Sequence, residues 1–351
     1  MNTKKADTGF QIARRAALAM GAAGSWAGWL RPAIAQQAND AAPMREAAAA
    51  LLQVADVAQR RRLQAAFASP HRIRWHYVPG NRDGFALAQM SAPLAARAMD
   101  LVRASLSDAG LAKVEGVLTL ATMPQSQRGA GSHALQVFGE PVPTGAWGWR
   151  LDGHHLSLNF TVLDDHIVST TPLFFGADPM EVMDGPHRGL APLFRERYMG
   201  RDLARRLNTS QRTLAAHLSR TPSDVQAGPG RAGTVADARG VPFSELTDET
   251  QRHLMLGLAE TYLDNLPASL ARAHLARLAG PARDDLRFTW HGGLEENDAV
   301  YYRLHGPRLW IEYATRGQAD HVHTLRREPG NDFGRAALSA RWPLVSVPPD
   351  A

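Results

Sequence analysis

Between His133 and Phe174 apolar residues recur at nearly every second position, with polar residues filling the gaps. Side chains alternate faces with that period only on an extended strand. Four runs follow one another: His133–Phe138, Trp147–Leu151, His154–Val162 and Ile167–Phe174. Asp152-Gly153 and Asp164-Asp165 are residue types that tolerate tight hairpins, so they read as the turns between the later runs. The result is an antiparallel meander. In the run after Gly153, His154, Leu156, Leu158, Phe160 and Val162 share one face, and His155, Ser157, Asn159 and Thr161 share the other. The first face reads as core, with His154 a hydrogen-bonded core histidine. The second is a polar row that makes His155 the functional candidate.

Elsewhere the period is helical. Residues 38–67, Ser91 to Leu106, Leu111 to Met123, 190–218, 248–265, 268–279 and 334–341 carry apolar residues at helical spacing. Ser91 is a candidate cap, Gly110 a candidate stop, and Pro267 divides two helices. Trp75-His76-Tyr77-Val78-Pro79 reads as a short strand, and residues 221–242, with Gly228-Pro229-Gly230, as a loop. Strands return at Arg287–His291, Ala299–His305 and Arg308–Ala314, with a tight hairpin at His305-Gly306-Pro307. The order is helices, strands, helices, strands, helix. It predicts an α+β fold: an antiparallel meander or mixed sheet with helices packed on it, in one domain over residues 36–351 with its core at about 75–342. No repeat or dividing linker is visible.

Leu309-Trp310-Ile311-Glu312-Tyr313 is followed, after a short gap, by Asp320-His321-Val322-His323. Residues two apart on a strand share a face, so His321 and His323 are spaced to grip one ion, with Glu312 as a third ligand and His155 as a fourth. The chain has no cysteine, so a zinc or copper site here must use His, Asp or Glu. If both strand blocks join one sheet, His155, Asn159, Arg303, His305 and Glu312 fall on one face. Arg303 is then the candidate for orienting an anionic substrate, and His305 or Asp332 for moving protons. Other chemistries lack their signatures: there is no His-Glu-x-x-His, no Gly-x-Ser-x-Gly and no phosphate loop. Met180-x-x-Met183 reads as gap-filling, and His321-x-His323 lacks the second motif that a cupin barrel requires.

Arg14-Arg15 precede a weakly apolar Ala/Gly-rich run, and Ala33-Ile34-Ala35 has the small-x-small form of a signal-peptidase site before Gln36. Residues 1–35 therefore read as a twin-arginine-type signal peptide, too short and interrupted for a stable membrane span. Ala16 stands where strong twin-arginine signals have polar residues and Phe, which leaves general secretory export as the alternative route. The expected location is periplasmic or secreted, with the export machinery as partner. Lys4, Lys5, Arg14, Arg15 and Arg31 against Asp7 account for +4 of the formal +5, leaving +1 for the rest. The basic balance thus points to no nucleic-acid partner.

From Trp75 to about Trp342 the chain resembles a bacterial and fungal family known as domain of unknown function 3500. The resemblance is carried by Trp147-Gly148-Trp149, Gly153-His154-His155-Leu156-Ser157-Leu158-Asn159-Phe160-Thr161, Thr171-Pro172-Leu173-Phe174-Phe175-Gly176-Ala177, Tyr301-Tyr302-Arg303-Leu304-His305-Gly306-Pro307, Ile311-Glu312-Tyr313, His321-Val322-His323-Thr324 and Asn331-Asp332-Phe333-Gly334. It implies an exported protein in which the Gly-His-His and His-x-His segments and Glu312 belong to a common pattern, and it implies no activity. After Tyr313 this chain departs, with Ala314-Thr315-Arg316-Gly317-Gln318 replacing a segment usually richer in Asp and Asn. The expected function is a metal-dependent, hydrolase-like enzyme acting on a small or anionic molecule. The alternative is a noncatalytic periplasmic protein that binds a metal or ligand.

Overall fold

The computed structural model describes residues 40–123, 133–216, 218–231, 239–316 and 320–341. The signal-peptide reading, Gly317-Gln318 and Trp342 lie outside them. The first helical stretch is two helices, α1 (Ala42–Val54) and α2 (Val57–Leu63), divided where Asp56 caps α2 through a reciprocal bond with Gln59. Strands β1 (Gln64–Ala65) and β2 (Phe85–Ala86) are short edge pieces. Helices α3 (Ala92–Ser105) and α4 (Asp108–Thr122) follow. Gly110 lies inside α4 and does not end α3: a Cβ there would stand 2.3 Å from the Asn265 carbonyl oxygen, so the glycine serves close approach.

The meander is β3 (Ala134–Phe138), β4 (Ala146–Gly153) and β5 (Leu156–Leu163), continued by β6 (His166–Ser169) and β7 (Leu173–Ala177). The meander departs from the sequence pattern at two points. Gly153 pairs with Leu156, so the turn is His154-His155, two residues later than Asp152-Gly153. His155 takes a positive φ of 63°. The single run Ile167–Phe174 is two strands, because Thr170-Thr171-Pro172 interrupts the ladder before β7 pairs with β5. Asp164 and Asp165, both at positive φ, form the next turn as expected.

Helices α5 (Phe194–Arg206) and α6 (Thr209–Ala215) replace one expected helix, divided by the Asn208 cap. After β8 (Val241–Pro242) come α7 (Glu249–Leu263), α8 (Ala268–Arg277) and the single turn α9 (Pro281–Asp284). The last strands are β9 (Arg287–Gly292), β10 (Val300–Gly306), β11 (Leu309–Thr315) and β12 (Val322–Arg327), before helix α10 (Arg335–Arg341). The architecture is α+β.

Among the described residues the twelve strands form one sheet in the order β1-β3-β4-β5-β7-β12-β11-β10-β9-β8, with β2 beside β3 and β6 beside β5. Every pairing is antiparallel except β1 with β3. Strand β12 joins the two blocks: it pairs with β11 on one side and β7 on the other.

The registers sort the faces. One face carries Trp149, Phe160, Leu158, Phe175, Ile311, Tyr313, Tyr302 and Phe288, all buried in the main core. Trp149 and Phe160 are cross-strand partners whose rings stack at 4.9 Å, a pairing worth about 0.5–1.5 kcal/mol beyond its area. Helices cover this face: Tyr262 of α7 shares a hydroxyl hydrogen bond with Tyr302 at 2.8 Å, and Gly200 of α5 admits the Tyr302 ring. The opposite face is polar yet buried, carrying Arg150, Asp152, Asn159, Arg327, Glu312, Arg303 and His305. Three irregular segments cover it. Trp75–Pro79 is one of them and is no strand: the amide of His155 and the Asp152 carboxylate take its backbone bonds at Tyr77 O and His76 N. Residues 222–231 and 331–334 are the others. Buried polar groups need partners, so these segments supply hydrogen bonds that a second apolar layer could not.

Candidate metal centre

Three strand ends meet on one side of the sheet: the start of β5, the end of β7 and the start of β12. The β4–β5 turn presents His155, which is tied down on both sides. Its amide donates to Tyr77 O at 2.9 Å, and its carbonyl accepts from the Gly176 amide at 2.8 Å. His321 and His323 flank Val322 and so project together, as their spacing predicts. The β11–β12 hairpin is closed by the Arg316 amide, which donates to His321 O at 2.7 Å.

The imidazoles converge through one nitrogen each. His155 Nε2 lies 2.9 Å from His321 Nε2, which lies 3.1 Å from His323 Nε2. All three ligand atoms fall within 4.8 Å of one another, a grouping that no carboxylate joins among the described residues. Two aspartates stand behind the ring. Asp224 accepts from His323 Nδ1 at 2.7 Å, and Asp178 lies 3.6 Å from His321 Nδ1. With Nδ1 committed to Asp224, His323 presents Nε2 to its neighbours.

Burial and the neighbouring imidazoles push two of the three rings, His155 and His321, toward the uncharged form. His155 is pushed far below the ordinary histidine value, first by burial and then by His154, His323, His321 and Arg316. His321 is pushed down to about 4 by burial, His323 and Arg316, with Asp178 and Asp224 opposing. Burial acts to raise Asp224, but its bonds to His323 and the Val225 amide, with the Arg316 charge, outweigh it and hold the carboxyl low. Three lone pairs around one point repel each other unless a proton or cation sits among them. Three imidazole nitrogens facing one point, two pairs of them 2.9 and 3.1 Å apart and all within 4.8 Å, form a donor set that suits zinc or copper.

The surroundings fix the rings. Tyr77 stacks on Phe174 at 4.0 Å and meets the His323 ring edge-on at 5.1 Å, and its hydroxyl donates to Asp224 at 3.4 Å. His154 stacks on His155 at 3.7 Å; it is a turn residue against the site, not a core residue of β5. A Cβ at Gly176 would stand 2.7 Å from His155 Cδ2 and 3.0 Å from His323 Cδ2, so the absent side chain is the space the two rings occupy. His155 and His323 are buried, whereas Asp178 and Arg316 are exposed and His321 is partly so. The cluster therefore opens to solvent on that side.

The rest of the predicted constellation is elsewhere. Glu312 shares the polar face but is no partner of the histidines. Its carboxylate accepts from the Gln226 amide at 2.5 Å, the Ala227 amide at 3.2 Å, the Trp310 indole at 2.9 Å and the Tyr301 hydroxyl at 3.2 Å. It latches the 222–231 segment, and through it Asp224, onto the sheet. Burial pushes its pKa up, opposed by these four donors. His305 is level with Trp310 and Arg327, four residues along the strand from His323, on the order of 13 Å away. Arg303 lies over the Trp310 ring at 4.8 Å and donates to His305 Nδ1 at 3.1 Å. Asp332 pairs with Arg327 at 2.6 Å, and Arg327 in turn donates to the carbonyls of Ala227 and Arg231. Arg303, His305 and Asp332 thus engage other partners and do not reach the histidines. Sequence reasoning missed Asp224, Asp178, Tyr77 and Gly176. Only the two aspartates carried a local signal, as carboxylates in loop segments.

The fold and the cluster define an α+β protein with a three-histidine site at one end of a single sheet. The chain belongs to the family described as Protein of unknown function (DUF3500), whose model matches residues 37–335. The match begins well before Trp75, so α1 and α2 are part of the family unit. No curated protein and no solved structure matches the chain. No helix among the described residues is long and apolar enough to cross a membrane.

Proposed function

We propose that this protein is an exported, zinc-dependent enzyme of hydrolytic type, with His155, His321 and His323 as its ligands. The observation that carries the reading is the convergence of three imidazole nitrogens within 4.8 Å of one another, backed by Asp224. Three protein ligands with a solvent-facing side is the pattern of a catalytic site; structural zinc sites use four. When bound, zinc supplies Lewis acidity that activates water at neutral pH. The protein's own contribution is orientation. Asp224 fixes the His323 tautomer, Tyr77 and Phe174 hold its ring, and Arg316, exposed at the opening and 3.8 Å from Asp224, is the cation placed to meet an anionic substrate. Asp178, exposed beside His321, is the carboxylate placed to exchange protons with solvent. Arg316 and Asp178 thus take the roles that the sequence reading gave to Arg303 and to His305 or Asp332. Copper is the competing metal, since imidazole suits both.

Metal analysis of the chain purified from the periplasm tests the reading. One zinc per chain is expected, lost in His155→Ala, His321→Ala and His323→Ala alike. No metal after loading with zinc or copper would sink it. A bound metal without turnover of nitrophenyl esters or phosphoesters would favour a noncatalytic carrier instead. Export is read from the N-terminal twin-arginine pattern. Replacing Arg14-Arg15 with Lys-Lys should leave the protein in the cytoplasm, and unchanged export would remove that route.

A further inference from the structure

At the opposite end of the strands that carry the histidines lies a cavity of about 650 Å³. It is bounded by the residues leading into β7, the β10–β11 turn, the segment after β12 and helices α8 and α10. His323 lies on β12 and Glu328 just after its end, five residues on and on the order of 17 Å away, so the two sites are separate.

The charge around this cavity is unbalanced. Arg326, 2 % exposed, lies just behind the wall formed by Thr170 and His274. Its Nη2 donates to the Thr170 carbonyl at 3.0 Å and hydroxyl at 2.5 Å. Its Nε is buried with no hydrogen-bond partner, and no carboxylate among the described residues forms an ion pair with it. Burial pulls this guanidinium down to about 10, only partly opposed by Glu328 and Asp332. Arg326 and Arg277 also act on His274, which burial and these charges push down to about 3. Arg277 and Arg308, both exposed, stand at the rim. The one acid in the lining, Glu328, is engaged by the Asn331 amide at 3.1 Å. Two guanidinium groups in the lining and Arg326 behind it, against Glu328 in the lining and an Asp332 already paired with Arg327, with the hydroxyls of Ser169 and Thr170, make an environment with positive charge in excess. The remaining wall is apolar, chiefly Ile167, Leu270 and Pro307. The volume is in the range of small-molecule sites and far exceeds a bare phosphate.

We propose that this cavity binds a small organic oxyanion: a carboxylate or phosphate monoester carrying a short apolar body. The oxyanion meets the arginine side and the apolar body covers Ile167 and Leu270. The test is calorimetric titration of the metal-free full chain, so that anions bound to a metal at the histidines make no contribution. The probes are benzoate and phenyl phosphate, with acetate and inorganic phosphate as bare head groups.

Saturable binding of at least one aromatic probe is expected, roughly tenfold or more tighter than its bare head group. The Arg277→Gln/Arg308→Gln double variant should weaken it about tenfold. Both side chains are exposed, so that variant keeps its fold even where Arg326→Met does not. The His274 ring resonances should move on titration in the wild type. No saturable binding, equal affinity for the bare anions, or affinity unchanged in the double variant would each overturn the proposal. Whichever aromatic probe binds identifies the head group.

Discussion

Asp224→Asn isolates the electrostatic part of the metal centre. The amide keeps an oxygen that can accept from His323 Nδ1 and from the Val225 amide, which now bond the carboxylate at 2.7 and 2.8 Å. What is lost is the negative charge behind a ring that is 1 % exposed. Removing such a carboxylate behind a ligand imidazole costs about 10–100-fold in metal affinity. At a free zinc concentration about 100 times the wild-type dissociation constant, binding stabilises the native state by about 2.7 kcal/mol. An unfolding entropy of about 2.1 cal/mol/K per residue over Gln36–Ala351 sums to roughly 0.66 kcal/mol/K, so zinc should raise the wild-type melting temperature by about 4 °C. In Asp224→Asn at the same zinc concentration the rise should shrink to about 2 °C or less. Differential scanning calorimetry with and without zinc reads the shift, and a competition titration with a chromophoric chelator reads the affinity. An equal zinc-induced shift and equal affinity in both proteins would refute the assignment of Asp224 as the carboxylate that tunes the site.

Three further outcomes follow from the geometry. Glu312→Ala should still bind one zinc per folded chain but lose roughly 3–5 kcal/mol in urea unfolding, because four buried donors are left without an acceptor; loss of zinc from the folded variant would restore Glu312 as a ligand. Gly176→Ala should abolish zinc binding while far-ultraviolet circular dichroism stays native, because its Cβ needs the space of the His155 and His323 rings; native zinc affinity would show that the rings tolerate the displacement. Acid should destabilise the metal-free protein in part through His274. Its folded pKa of about 3 lies below the ordinary 6.5, so the unfolded chain takes up a proton that the native one refuses, and the resulting loss grows as pH falls from 6.5 toward 3. With partial screening the effect at pH 5 is about 1 kcal/mol, and His274→Gln should flatten the pH dependence of urea stability by that amount; an unchanged slope would count against the burial of this ring.

Much of the fold is local and was legible. A period of two wrote the meander and β9 to β11 but not β12, the strand that joins the two blocks, and apolar spacing wrote the helices on the covered face. The errors came where a local signal had two readings. Asp152-Gly153 is a good turn pair, yet the ladder from β4 to β5 runs two residues further and His154-His155 turn instead. Gly110 reads as a helix end, but its missing side chain admits the Asn265 backbone. Trp75–Tyr77 reads as a strand, but its partners are a turn amide and a carboxylate, so it belongs to no sheet.

The candidate site divides along the same line. By itself the sequence determined that His321 and His323 project together, because residues two apart along an extended chain share a side. It also singled out His155 and placed Glu312, Arg303 and His305 on one polar face, which the sheet carries. Only the tertiary structure decided which of them meet. Strand β12 lies between β7 and β11, and that order brings the β4–β5 turn beside His321 while leaving His305 several residues along the strand from His323. The covering segment then gave Asp224 to His323 and its backbone amides to Glu312. Side-chain facing is set by neighbours in sequence. Distance between faces is set by strand order and register, which form only when distant segments pair.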